Sequence, residues 1–372
     1  MEHENLIVEI EGNEAEDIYP SILNLEVELD NELASMFRMK LSILLDEEGT
    51  WSFIDDERLQ PWKQVTIKAG FENTEDELIS GYITHVRPYF DPDPSRCMLE
   101  IWGMDNSVMM DRQEKLKDWP NKKDSDIASE IFSLYGLTPD VEDTEVIHDE
   151  ALSTIIQRES DMQFLKRLAL RNGFECYVQG DTGYFKNLDL DSPPQPLLSV
   201  QFGEQTVVNR LSIEVNALTP VNVSMSQIDK VSKEVLEANI ESSQQTSLGS
   251  RNAAGQLAAG MEPAGLRVNR NTATGTPEMT ALCQGIYHKG EWFVTVQGEI
   301  AGNQYGHVLK ARQNITIRGI GETYSGIYYV SSVTHLFSAE GYKQFFTGKR
   351  NALMPSGSED FSSSAGMLAG ML

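Results

Sequence analysis

Apolar residues recur at every second position through the first hundred residues. Leu23, Leu25, Val27 and Leu29 alternate with polar neighbours, and so do Phe37, Met39, Leu41 and Ile43. A period of two puts one row of side chains on a buried face and the other in solvent, which predicts strands. Residues 65–67, 79–86 and 98–102 continue the pattern. Turn signals stand between them at Glu47-Glu48-Gly49, Glu72-Asn73-Thr74 and Asp91-Pro92-Asp93-Pro94. Short strands at this spacing predict a barrel or sandwich. Residues 91–94 offer two carboxylates but lack the third ligand and the glycine of a metal loop, so a plain hairpin tip is expected there.

The period then changes. Asp124-Ser125-Asp126 precedes Ile127, Ile131 and Leu134, which share one helical face, and Gly136 follows as a stop. A second helix is better marked. Ser160 and Gln163 have capping-box spacing, and Asp161 sits in the first turn, where a negative charge is favoured. Phe164, Leu165, Leu168 and Ala169 make the apolar stripe, and Asn172-Gly173 supplies a left-handed exit. Residues 174–178 and 184–185 read as a hairpin around Gly180-Asp181-Thr182-Gly183. Residues 111–190 thus form a small mixed α/β unit inserted after an all-β one.

Ser192-Pro193-Pro194-Gln195-Pro196 reads as a linker, and strands resume over 197–202, 211–215 and 221–225. From 226 to about 276 the composition turns to Ser, Ala, Gly, Gln and Asn, which predicts a long exposed excursion with one helix over 231–240. Strands are expected again over 292–297, 314–319, 326–337 and 342–347. Residues 356–372 form a Ser/Gly tail that ends in Met367-Leu368-Ala369-Gly370-Met371-Leu372, read as a frayed end. The expected units are therefore 1–110 (first β block), 111–190 (α/β insert), 191–225 with 285–355 (second β block), 226–284 (excursion) and 356–372 (flexible tail).

Charge sharpens this picture. The chain has 372 residues and a formal net charge of −27. Residues 1–190 hold 42 Asp and Glu against 17 Lys and Arg, whereas residues 191–372 hold 15 against 13. An acidic field of that size repels phosphate backbones and anionic lipid, so neither nucleic-acid nor membrane binding is expected of the first half. No apolar run approaches the roughly 20 residues that span a bilayer. Met1-Glu2-His3-Glu4-Asn5 lacks the features of a signal peptide, so a soluble protein of a reducing compartment is expected. Cys97, Cys176 and Cys283 are spaced for neither a disulfide framework nor a zinc site and read as core thiols.

A search for chemistry returns little. His3, His85, His148, His288, His307 and His335 show no metal-ligand spacing, and no Gly-x-Ser-x-Gly elbow is present. Gly319-Ile320-Gly321-Glu322 fails both the dinucleotide and the Walker pattern, and a turn requiring positive φ explains its glycines. His148-Asp149-Glu150 is the only cluster of note, and it reads as a loop with a surface histidine. No catalytic, cofactor or metal residue emerges, so an enzyme is not expected.

Two segments do match a known pattern. Glu159, Ser160, Asp161, Phe164, Leu165, Leu168, Ala169 and Gly173 resemble the ESD-x-x-FL-x-x-LA-x-x-x-G signature of phage late control protein D and of the VgrG spike proteins of type VI secretion. Gly319, Gly321, Gly326, Tyr328, Tyr329, His335 and Tyr342, with Arg350-Asn351-Ala352, are similar to that family's last barrel strands. Lys122 to Ala128 matches its first helix entry. The resemblance covers roughly residues 1–355. It implies a β-rich α+β fold with two hub-type β-barrel domains and an inserted small α/β unit. The family's Gly-Trp-Asp turn is missing near Val223–Gln227, and no oligonucleotide-fold module, β-helical needle or effector follows the last strand. A hub whose spike is a separate chain is therefore expected.

In function, the resemblance implies the structural centre of a contractile injection system or phage-tail baseplate. That part would be a homotrimer joining a six-fold tail tube to a three-fold spike, with a passage for cargo. Its partners would be the spike, inner tube proteins and other baseplate proteins, with protein cargo in the lumen. It would be made in the cytoplasm and assembled into a phage-tail-like particle. The alternatives from other classes are a machine-associated hydrolase and a β-rich adhesin or receptor-binding module. The acidic half is expected on the lumen or against basic neighbours.

Overall fold

The computed structural model describes residues 4–71, 74–151, 154–219, 221–229, 232–257, 260–269 and 273–362. The alternating segments of the first block form β1 (Glu4–Ile10), β2 (Ile22–Asp30), β3 (Met36–Ser42), β4 (Gln64–Phe71), β5 (Asp76–Tyr89) and β6 (Met98–Asp105). These strands are all antiparallel and lie in the order β2-β3-β6-β5-β4-β1. Phe37, Met39 and Leu41 of β3 are buried, and with Val8, Val27, Ile67 and Ile101 they fill one core. The tip at residues 91–94 is the expected β5–β6 connection. Asp91 and Asp93 there accept from the backbone N–H of Asp93 and Ser95. Glu72 and Asn73 of another expected turn lie outside the described residues.

The insert carries α1 (Asp124–Leu134), α2 (Asp161–Asn172) and a hairpin of β7 (Glu175–Gln179) and β8 (Thr182–Lys186). A short strand, Thr138–Val141, runs parallel to β8. The Ser160 hydroxyl accepts from the Gln163 N–H at 3.4 Å, and Gly173 ends α2 at φ +73°. Ile127, Ile131, Phe132, Phe164, Leu165, Leu168 and Phe185 form this unit's own core.

The second block comprises β9 (Gln195–Ser199), β10 (Val208–Val215), β13 (Val294–Ala301), β14 (Asn314–Arg318), β15 (Gly326–Ser338) and β16 (Gly341–Arg350). Pairing runs β9-β14-β15-β16-β13-β10 around a core that includes Leu198, Val296, Ile315, Ile317, Tyr328 and Phe346. The two blocks share one 13-stranded sheet. The first part of β15 pairs with β14, and its second part pairs with β2, setting Val333 opposite Leu29 and His335 opposite Val27. An irregularity in register at Val330/Ser332 marks the change of neighbour. Such a bulge bends a strand and tightens its twist, which lets β15 serve both cores. The architecture is the β-rich α+β fold expected: a large curled sheet in two barrel-like halves, few helices, and a small α/β insert.

Residues 226–290 depart from expectation. In place of the helix over 231–240, Val235–Ile240 is a strand (β12) antiparallel to β11 (Asn222–Ile228); Val231 itself lies outside the described residues. A further strand, Gly265–Val268, runs parallel to β11. The resulting sheet packs on α3 (Thr276–Gly290), which the sequence reading missed, and Val223, Met225, Ala238, Met279, Leu282 and Cys283 make a core between them. The stretch read as an exposed excursion thus contains a small packed unit. Gly321 also opens one helical turn, Gly321–Tyr324, where only a strand-to-strand turn was expected. The terminal run Met367–Leu372 lies outside the described residues, among which no helix is long and apolar enough to cross a membrane.

Candidate functional site

The residues singled out in the sequence gather at three places, each a joint between elements. The first is the entry to α2. Buried Asp161 accepts from Gln157 Nε2 and from the Tyr135 hydroxyl, each at 2.7 Å, and is ion-paired with Lys115. Burial acts to raise this carboxyl, but Lys115 and these hydrogen bonds outweigh it and hold it below the usual range. Gln157 also accepts from Trp119 Nε1 at 3.1 Å, Ser160 Oγ donates to Asp111, and Glu159 pairs with Arg167 at 2.6 Å. Phe164 and Leu165 face the core. The motif therefore builds a helix entry.

The second joint ties the insert to the β blocks. Tyr329 of β15 donates to Glu175 Oε2 at 2.7 Å, and Asn31 Nδ2 donates to Oε1 at 2.9 Å. Burial pushes the Glu175 carboxyl up. Nearby, Asp124 at the start of α1 accepts from His148 Nε2 at 3.0 Å, from Asn172 Nδ2 at 2.7 Å and from Arg171. Arg171 reaches on to Glu278 of α3 at 3.2 Å. His148 is only 2% exposed, so the expected surface histidine is in fact a buried cross-link between a loop and α1. Gly173 touches Gly285 of α3, where an added Cβ would lie 2.8 Å from the Gly285 Cα. The two helices meet glycine on glycine.

The third joint closes the end of the second block. Arg350 is fully buried. Its guanidinium donates to the carbonyls of Leu248 at 3.0 Å, Tyr324 and Ser325 at 3.2 Å each, and Met354 at 2.8 Å. Gly326, at φ +146°, leaves room for it: an added Cβ would lie 2.3 Å from Arg350 Nη2. Gly319, at φ +86°, has the Val200 carbonyl 2.1 Å from where a Cβ would sit. Tyr328 donates to the Tyr324 carbonyl at 2.7 Å. His335 and Tyr342 lie apart from this joint, against the core of the first block, where they hydrogen-bond at 2.7 Å and burial lowers the His335 pKa to about 3.

Arg350 matched the family pattern but carried no role in the sequence. Yet the alternation of Tyr342, Gln344, Phe346, Gly348 and Arg350 placed it on the inward face. The hydroxyls that lie beside a base at these joints, such as Ser160 on Asp111 and Tyr342 on His335, are buried. The cysteines are buried and free, and burial pushes the Cys176 thiol up to about 12. Among the described residues no three His, Cys, Asp or Glu are grouped to hold a metal. The arrangement can fix elements against one another.

Known proteins share the fold. The pattern of the family described as Alg8 N-terminal domain matches residues 2–339. No curated protein matches the chain. Among solved structures, the 43 kDa tail protein of prophage MuSo2 from Shewanella oneidensis aligns over 94% of this chain and 100% of its own, at 13% identity and a TM-score of 0.67. A tail protein from Neisseria meningitidis MC58 aligns over 94% and 98%, at 13% identity and 0.63. The E. coli c3393 protein, described as a component of the type VI secretion system, aligns over 92% and 76%, at 11% identity and 0.55. At these identities the likeness is one of fold.

Proposed function

The chain belongs to the Alg8 N-terminal domain family, and from that premise we propose that it is the structural central hub of a phage-tail-like baseplate or contractile injection system. Three copies would surround the axis, joining a six-fold tube above to a three-fold spike below and leaving a passage for cargo. The observation that carries this reading is the division of one 13-stranded sheet into two halves of six main strands, with the two-residue strand Asn13–Glu14 at one edge, each half curled round its own core. Three chains with two similar halves apiece offer six quasi-equivalent surfaces, which is what a three-to-six adapter needs. The buried polar joints suit a part that must stay rigid under load, because hydrogen bonds between separate elements fix one geometry.

The acidic first half would line the passage or face basic neighbours, favouring protein over nucleic acid as cargo. The test is co-expression with candidate tube and spike chains, followed by electron microscopy of the complex. Three copies on the axis are expected. Six copies, or a position off the axis, would refute the hub, and a basic passage would refute the assignment of the acidic half.

A further inference from the structure

Large apolar side chains stand in solvent at one end of the first block. Register sets Ser42 of β3 and Tyr89 of β5 opposite Met98 of β6, so the chain after β3 and the β5–β6 tip emerge there side by side. The insert leaves from the opposite end, where the Asp105 N–H donates to the Ser35 carbonyl at 2.9 Å. Leu44 is 67% exposed, Leu45 49% and Phe90 51%. Leu45 bridges Trp51 across its loop, and the Phe90 ring meets the Trp51 ring edge-on at 5.2 Å. The patch is built to hold its shape. Asp46 Oδ1 accepts from the N–H groups of Glu48 at 2.9 Å and Thr50 at 2.8 Å, closing the turn between Leu45 and Trp51. Ser52 Oγ accepts from the Leu44 N–H at 2.9 Å, and the Asp91 N–H donates to the Cys97 sulfur at 3.3 Å across the base of the tip. One exposed leucine is ordinary, but a contiguous, pre-formed apolar patch marks a surface that a partner covers.

Charge selects the partner. Residues 16–21, 43–60 and 90–97 close this end, and they hold ten Asp and Glu against Arg58 and Arg96. Both cations are already taken, Arg58 by Asp17 at 2.7 Å and Asp56 at 2.6 Å, and Arg96 by Asp93 at 3.6 Å. Glu47, Glu48, Asp55 and Glu57 are exposed and have no ion-pair partner among the described residues. Such a rim repels phosphate and anionic lipid and attracts ammonium and guanidinium groups. A second copy of a chain at net charge −27 meets the same repulsion.

We propose that this end of the first block docks a segment of a partner polypeptide in which lysine or arginine side chains flank a large apolar one. The apolar side chain seats on Leu45, Trp51 and Phe90, and the cations meet Glu47, Glu48, Asp55 and Glu57. The seated anchor supplies most of the affinity, whereas the carboxylates set the rate of encounter and its salt dependence. Docking of this kind requires one chain and one linear segment, so it does not depend on the hub arrangement.

The probe is acetyl-Lys-Lys-Leu-Phe-Lys-Lys-amide, titrated calorimetrically into the full chain beside a peptide with Ser-Ser in place of Leu-Phe and one with Glu in place of every Lys. Saturable binding of the first peptide is expected, about tenfold tighter than that of either other. Leu45→Ser/Phe90→Ser should weaken it about tenfold. Glu47→Gln/Glu48→Gln/Asp55→Asn/Glu57→Gln should weaken it by a similar factor and flatten its salt dependence. Neutralising Glu114, Asp118, Glu145 and Asp149, which are exposed on the insert, removes the same charge and should change binding by less than about twofold. Hydroxyl-radical footprinting of the unaltered chain should show Leu44, Leu45, Trp51 and Phe90 protected by the peptide, a readout that no variant's folding affects. Absence of saturable binding, equal binding of the serine peptide, an equal loss in the insert variant, or protection elsewhere would overturn the proposal.

Discussion

Replacing Arg350 by methionine tests the claim that the end of the second block is held by one guanidinium. Methionine matches the length of the stem and removes the donors. Four carbonyls then lose this donor; those of Tyr324 and Met354 keep another, from the Tyr328 hydroxyl and the Ser250 N–H, whereas those of Leu248 and Ser325 are left without it. Each unmade buried acceptor costs about 1–3 kcal/mol if nothing relaxes. Glu359 lies 3.9 Å from Nη2 with a side chain 1% exposed, and it loses its counter-charge as well. Local relaxation will recover part of the sum, so a loss of about 3–5 kcal/mol is expected, in the range for breaking a buried charge pair. That corresponds to a fall in melting temperature of about 10 °C for a unit of this size.

The assay is thermal and urea unfolding, with hydrogen exchange at residues 248–252 and 323–326 to localise the effect. Arg210→Met, at a side chain 84% exposed, is the control and should change stability by less than about 0.5 kcal/mol. Gly326→Ala supplies a second check, because its methyl group would collide with the same guanidinium. Combined with Arg350→Met it should cost less than the two changes summed, since one collision partner is gone. A loss below about 1 kcal/mol for Arg350→Met, or strict additivity with Gly326→Ala, would refute the reasoning.

Three further outcomes follow from the joints. Asp161→Ala strips three donors of their acceptor and should destabilise the insert by about 3 kcal/mol, read as early loss of its hydrogen-exchange protection. Gly285→Ala would set a methyl 2.7 Å from the Gly173 nitrogen; it should push α3 off α2, cost about 1–3 kcal/mol and expose α3 to limited proteolysis. Burial pushes the Glu291 carboxyl from 4.5 up to about 7, against hydrogen bonds from Ser243 and Asn351 that lower it. The folded state therefore keeps this proton after the unfolded chain has lost it. Its contribution is complete below pH 4.5, declines as pH rises to about 7 and stays lost above, by at most about 3 kcal/mol. Glu291→Gln should flatten that decline, and a wild-type melting temperature that rises between pH 5 and 7.5 in step with the variant's would exclude the effect.

Local chemistry was legible wherever it acts over a few residues. The Ser160 cap, the Phe164–Ala169 stripe and the Gly173 stop define α2 because a helix is closed by bonds four residues apart. The alternation in residues 22–43 defines β2 and β3 because the pleat itself has a period of two. The reading of the three cysteines as core thiols agrees with their burial. The helix expected over 231–240 failed for a reason the stretch does not contain. Lys233-Glu234-Val235-Leu236-Glu237-Ala238 favours a helix by propensity, but β11 offers hydrogen bonds and α3 offers a face that buries Ala238, and these outweigh a few tenths of a kcal/mol per residue. α3 was readable in Pro277, Met279, Leu282 and Cys283, but it was hidden by the polar stretch before it.

The acidic bias, the β-α/β-β order and the α2 signature are properties of the chain alone, since each is a count or a short-range pattern. The tertiary structure decided what no window along the chain holds: that β15 reaches back some three hundred residues to β2 and fuses two blocks into one sheet, that His148 lies buried against Asp124, and that Arg350 faces four carbonyls drawn from separate loops. Such pairings depend on the geometry of both partners at once, and that geometry exists only after the strands have closed around their cores.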